Sequence, residues 1–123
     1  MIQAVIIREG GDIGVVGATN SDGTRDMGPM QINPWWMPLL RPMGISEHDL
    51  LYDVCTNIAV GAFILQHNYE LLGDWYEAVA AYNAGPANRH VAYGYADDVF
   101  ALMGRPTREQ GTSETDITIN YLD

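Results

Sequence analysis

Of the carboxyl groups in this sequence, the first comes early. In Ile6-Ile7-Arg8-Glu9-Gly10-Gly11 an acidic residue stands between an apolar run and two glycines. Glycine readily takes the left-handed conformation that ends helices, so Gln3 to Glu9 reads as the last two turns of a helix with Glu9 at its C-terminus. A carboxylate there faces the negative end of the helix macrodipole, and apolar neighbours such as Ile6 add desolvation; both favour the neutral acid. A neutral carboxylic acid is what a general acid must be before it can protonate a glycosidic leaving oxygen. Most glutamates near helix ends are solvated charges, so residue types alone leave Glu9 open to either reading.

Other reactive side chains do not gather. His48, His67 and His90 are far apart and lack ligand spacing, so each is expected to be a surface or half-buried histidine, with no metal and no cofactor. Cys55, the single cysteine, cannot form an internal disulfide and is expected to be a buried thiol on an apolar helix face. Trp35, Trp36 and Trp75 could stack on sugar rings, although packing is the expected role. The 123 residues carry a formal charge of -10, and every basic residue is an arginine. Phosphate binding rests on clustered Lys and Arg, so nucleic acid is excluded as a partner, and an anionic membrane surface is disfavoured on the same ground. No membrane span is expected, since no apolar run approaches the roughly 18 residues one needs, and Met1 to Gly11 is not expected to act as an export signal, since it lacks a charged start and a cleavage site.

The elements that position these residues are mainly helical. Val15 to Met27 holds two short extended candidates around Asn20-Ser21-Asp22-Gly23, a small β-hairpin or irregular excursion. From Gly28 to Leu40 the text turns helical again, broken by Pro34 and Pro38. Asp53 can cap a helix to about Leu72, with Ile58, Ala62, Leu65, Tyr69 and Leu72 on one buried face. Gly73 ends it, and Asp74 with Glu77 forms a capping-box pattern opening the next helix. Asn83-Ala84-Gly85-Pro86 closes that one and starts another, in which Val91, Tyr95, Val99 and Leu102 share a face. One domain over residues 1–105 is expected, followed by a polar tail over 106–123.

Three segments follow Glu9 in a telling order: Gly28-Pro29-Met30-Gln31-Ile32-Asn33, Asp53 to Leu65, and Ala81-Tyr82-Asn83-Ala84-Gly85-Pro86. In order and spacing they resemble the lytic transglycosylases of the soluble-transglycosylase type. The small specialised members that accompany secretion systems, pili and conjugation machines are the most similar, because Trp35 to Ser46 and Cys55 to Leu65 look like their linking segments too. The resemblance runs over roughly residues 4 to 103. It implies a lysozyme-like fold, peptidoglycan glycan strands as substrate, a secretion, pilus or conjugation apparatus as partner, and a place in the bacterial cell envelope or periplasm.

The resemblance also implies roles. Glu9 becomes the catalytic acid and then the base, Gln31 a hydrogen-bonding group for a sugar hydroxyl or acetamido group, and Met30 an apolar surface packed against the sugar. Tyr82 would lie by the catalytic glutamate, with Asn83 beside it in the same motif. Asp26 is the candidate second carboxylate of a hydrolase that uses water; otherwise it is a bystander. Three departures accompany the match. Gly10 stands where the family usually has serine, and Pro29 replaces a leucine. The start lacks the family's export signal, a helical turn or two, and the cysteine that often pairs with the one aligned to Cys55. The alternatives to a transglycosylase are a hydrolase of the same bond and a weakly catalytic wall-binding or assembly module.

Overall fold

The computed structural model describes residues 1–105; the polar tail expected over 106–123 lies outside the described residues. The chain forms two compact units, Ile2–Phe63 and the chain from Ile64 onward with Met1, and the division falls inside one long helix.

In the first unit α1 (Ile2–Glu9) is followed by the antiparallel strands β1 (Val16–Thr19) and β2 (Arg25–Met27), so the expected hairpin is present. Asp22 closes its turn: Oδ1 accepts from the Thr24 N–H at 3.0 Å and from the Thr24 hydroxyl at 2.6 Å. Those two bonds, the hydroxyl's above all, hold the Asp22 carboxyl below the ordinary carboxylate range. A register shift separates the Val16–Met27 pair from the Thr19–Arg25 pair.

Gly28 to Asn33 corrects an expectation, for it is not helical. Met27 and Ile32 exchange backbone hydrogen bonds, each 2.9 Å, and Gln31 N–H returns to Gly28 C=O at 3.0 Å. Reversing the chain in four residues uses left-handed backbone at Gly28 (φ 73) and Gln31 (φ 51). Pro29 occupies the first inner position of that turn, where its fixed φ is favoured. Beyond it, 3-10 segments Pro34–Trp36 and Arg41–Met43 flank the short α2 (Met37–Leu40), each beginning at or beside a proline, as expected of residues that cannot continue a helix.

Helix α3 (Glu47–Tyr52) opens on a complete capping box between Ser46 and Asp49. Helix α4 (Val54–Leu72) starts from Asp53, whose Oδ1 accepts from the Thr56 N–H at 3.1 Å. Its buried stripe is Asn57, Val60, Gly61, Ile64, Leu65 and Asn68, while Ile58, Ala62, Tyr69 and Leu72 lie half-buried on its flank, which corrects the expected face. Cys55 is exposed rather than buried. At about 100° per residue it lies roughly 200° from Asn57 and therefore faces away from the stripe.

The second unit holds α5 (Trp75–Ala84) and α6 (Tyr93–Leu102), joined by a 3-10 segment, Pro86–Ala92, that packs on α5. Asp74 Oδ1 caps α5 by accepting from the Glu77 N–H at 2.8 Å. The α-helix expected from Pro86 begins only at Tyr93. At three residues per turn the intervening segment changes the phase of the apolar stripe. Val91 and Leu102 are accordingly exposed, and the buried face is Tyr95, Ala96, Val99 and Phe100. Tyr76 meets Phe100 edge-on at 5.5 Å, and Trp75 stacks on Tyr69 at 4.1 Å.

Candidate active site

Glu9 is the last residue of α1 and is half-buried. Gly10 ends the helix at φ 69, its N–H still reaching Ile6 C=O at 3.1 Å. A serine at this φ would be strained, so glycine suits the cap that presents Glu9 here.

Two residues on, Gly11 brings the chain against the Met27–Ile32 loop. A Cβ on Gly11 would overlap Gly28 C=O and lie 2.8 Å from Gln31 Nε2, and one on Gly17 would overlap Gln31 Oε1. The Gln31 side chain is thus held between two backbone stretches, and its Nε2 donates to Gly28 C=O at 2.9 Å. Positive φ on a residue with a side chain, as at Gln31, is sparsely populated backbone that surrounding structure must enforce.

Enforcement comes from Asn57, a residue the sequence reading passed over. It is 0% exposed and uses both N–H groups and the oxygen of its amide on backbone. Oδ1 accepts from the Met30 N–H at 2.9 Å, while Nδ2 donates to Met27 C=O at 3.0 Å and to Leu50 C=O at 2.8 Å. Three satisfied buried bonds contribute on the order of 3 kcal/mol in total. A carboxamide inside the apolar run Val54 to Leu65 was the available signal, because a buried amide must find partners. Gly28 fits only as glycine here, since a Cβ would overlap Asn57 Nδ2.

Met30 departs from expectation. At 0% exposure, with its sulfur against Gly61 of α4, it supports the loop from beneath and offers no surface to a sugar. Asp26 belongs to a network: its Oδ1 accepts from Asn33 Nδ2 at 2.9 Å and Asn20 Nδ2 at 3.2 Å, and both amides also reach the Thr24 hydroxyl at 3.1 Å. Those bonds tie the hairpin to the residue that caps Pro34–Trp36. Packing was the expected role of the tryptophans, yet Trp35 is 73% exposed, whereas Trp36 and Trp75 are half-buried.

Tyr82 and Asn83 lie in the second unit, at the C-terminal end of α5, with Tyr82 half-buried and Asn83 exposed. The segment after them is fixed to α5 through Glu77, whose carboxylate accepts from Arg89 Nε at 2.9 Å and from the Tyr93 hydroxyl at 3.0 Å. All three histidines are exposed, and no helix of the described residues is long and apolar enough to cross a membrane.

Relatives share this sequence. The invasion protein IagB of Salmonella typhi is 44% identical over 106 residues, covering 82% of this chain and 66% of the relative. Protein IpgF of Shigella sonnei is 33% identical over 102 residues, covering 81% and 67%. A peptidoglycan-binding-like protein of Escherichia coli O157:H7 is 36% identical over 84 residues, covering 65% and 50%. The chain spans about half to two thirds of the length of the curated relatives it matches. The transglycosylase SLT domain matches residues 2–99, which include Glu9, the Met27–Ile32 loop and the Tyr82-Asn83 pair. With most of its length accounted for in this way, the chain belongs to the SLT transglycosylase family, whose domain is lysozyme-like.

Proposed function

We propose that the protein is a peptidoglycan lytic transglycosylase in which Glu9 is first acid and then base. The observation that carries the reading is the junction at the end of α1, where a half-buried Glu9 is followed two residues later by Gly11, packed on the clamped amide of Gln31. In this mechanism the Glu9 carboxyl protonates the oxygen linking N-acetylmuramic acid to N-acetylglucosamine as the bond to the anomeric carbon breaks. The muramoyl 6-hydroxyl closes onto that carbon and its proton returns to the Glu9 carboxylate, giving a 1,6-anhydro sugar without consuming water. One carboxyl group serves both steps, so Asp26 can remain in its network with Asn20 and Asn33. Gln31 retains a second N–H and Oε1 for a sugar hydroxyl or acetamido group. Tyr82 and Asn83 supply further substrate contacts, and Met30 acts by holding the loop.

The setting follows from the same reading: a bacterial cell envelope, in the periplasm, beside a secretion, pilus or conjugation apparatus that needs a gap in the wall. IagB is named as an invasion protein, which suits such a role. Digesting purified peptidoglycan and identifying the products by mass spectrometry tests the mechanism. Anhydromuramoyl products are expected from the wild type, and Glu9→Gln should lower their rate on the order of 100-fold or more. Reducing-end products would identify a hydrolase, and binding without cleavage would identify a wall-binding module, in line with the name of the Escherichia coli relative.

A further inference from the structure

Trp35 sits four residues after Gln31 and is 73% exposed, more than any other large apolar side chain of the described residues. Leaving an indole in water forgoes the burial that usually justifies tryptophan. It is nonetheless held firmly. The backbone N–H of Trp35 donates to Asn33 Oδ1 at 2.8 Å, and Pro34 fixes the backbone just before it. Its ring meets Trp36 edge-on, with centroids 5.0 Å apart at 86°, and Trp36 meets Phe63 edge-on at 6.5 Å. Asn33, whose side chain caps the segment, is anchored in turn to Asp26 and Thr24. An exposed aromatic ring on so fixed a mount has little rotamer freedom to lose on binding.

Charge narrows what it can bind. The chain carries a net charge of -10 with no lysine, so attraction between opposite charges cannot draw it to an acidic wall polymer. Recognition through an uncharged face remains available, and the C–H face of a pyranose ring matches an indole in size and polarity. We infer that Trp35, buttressed by Trp36 and Phe63, is a carbohydrate-stacking subsite that holds one sugar ring of a glycan strand. This rests on the glycan-cleaving reading above and adds to it a second point of hold on the segment that carries Gln31.

The test uses Glu9→Gln protein, which should bind without cleaving, titrated calorimetrically with peptide-free glycan strands. Adding Trp35→Ala should weaken binding about tenfold, and Trp35→Phe should keep most of the affinity, with little response to salt. Thermal melts of both variants should match the parent, since the side chain is exposed. In the cleaving protein Trp35→Ala should raise KM about tenfold and leave kcat within about twofold, the mark of binding shared by ground and transition states. Unchanged strand affinity in Trp35→Ala overturns the subsite while leaving the cleavage reading intact. Loss of self-association or of a protein partner, with strand binding unaltered, overturns it as well. Absence of both strand binding and anhydro products in the wild type removes the underlying reading and the subsite with it.

Discussion

The loop Met27–Ile32 and the segment Pro86–Ala92 are both short irregular stretches beside a family motif, and different forces fix them. The loop hangs on one uncharged amide, Asn57, wholly buried and bonded to three backbone groups. The segment hangs on Glu77 and Arg89, an ion pair at 2.9 Å whose side chains are 14% and 37% exposed, together with the Tyr93 hydroxyl. Water cannot replace the first set of bonds, because nothing reaches them. It can partly replace the second, because Arg89 is already solvated. Holding power should therefore follow burial more than charge.

The sharpest way to break this comparison is Asn57→Leu, which keeps the size of the side chain and removes its amide. The Met30 N–H and the Leu50 C=O would then lose their Asn57 partner in a buried place, and the Met27 C=O would keep only the Ile32 N–H. At about 1–3 kcal/mol for each stranded group the loss should reach about 3 kcal/mol or more. For a domain near 100 residues that corresponds to a fall of roughly 12–24 °C in Tm, measurable by circular dichroism. A fall of less than about 1 kcal/mol would mean that the loop is fixed by something other than Asn57.

Legibility in the sequence divides along similar lines. Local backbone chemistry was plain: Asp22-Gly23 marked the hairpin, Asp53 the start of α4 and Gly10 the end of α1. Features decided by tertiary contact were not. The four-residue spacing of apolar positions on α4 suggested a stripe through Ile58 and Ala62, whereas the buried stripe runs through Asn57 and Gly61, two residues with little apolar surface of their own. Those residues are there for hydrogen bonds from a side-chain amide and for a close approach to Met30, and neither purpose shows as hydrophobicity. Met30 and Gln31 are adjacent, yet Met30 turns inward and Gln31 is held half-buried by a left-handed φ that no propensity scale assigns to glutamine. Of the candidate site, the residue types could be named from motif resemblance. The loop's geometry and its dependence on Asn57 required coordinates.

At the second anchor, Arg89→Ala should cost about 1 kcal/mol, the upper range for a solvated pair, because Glu77 keeps the Tyr93 hydroxyl. Tyr93→Phe should cost a similar or smaller amount. The Arg89 effect should shrink when urea unfolding is repeated in 1 M salt, where the screening length falls to about 3 Å, whereas the Asn57→Leu effect should not. An Arg89→Ala loss as large as that of Asn57→Leu, and equally indifferent to salt, would erase the distinction between the two anchors.

The smallest effect belongs to the surface. At the start of α3, Asp49 Oδ2 accepts from the Ser46 N–H at 2.9 Å, and the Ser46 hydroxyl oxygen accepts from the Asp49 N–H at 3.1 Å. Bonding to Ser46, its N–H first and its side chain second, holds the Asp49 carboxyl below the ordinary carboxylate range. A depressed folded pKa means that the unfolded chain takes up the proton first as acid is added. The contribution of this bond is therefore complete above the ordinary carboxylate range near pH 4 and is lost as pH falls through the lower folded value. Carbon-detected NMR titration of the Asp49 carboxyl should show this directly. Because the larger cause is a backbone N–H, Ser46→Ala should leave Asp49 still titrating below the usual value, and only partly relaxed towards it. Full return to the ordinary value would assign the shift to the hydroxyl instead. Solvent exposure, which makes this cap titratable and its energetic effect small, is what the buried and uncharged amide of Asn57 lacks.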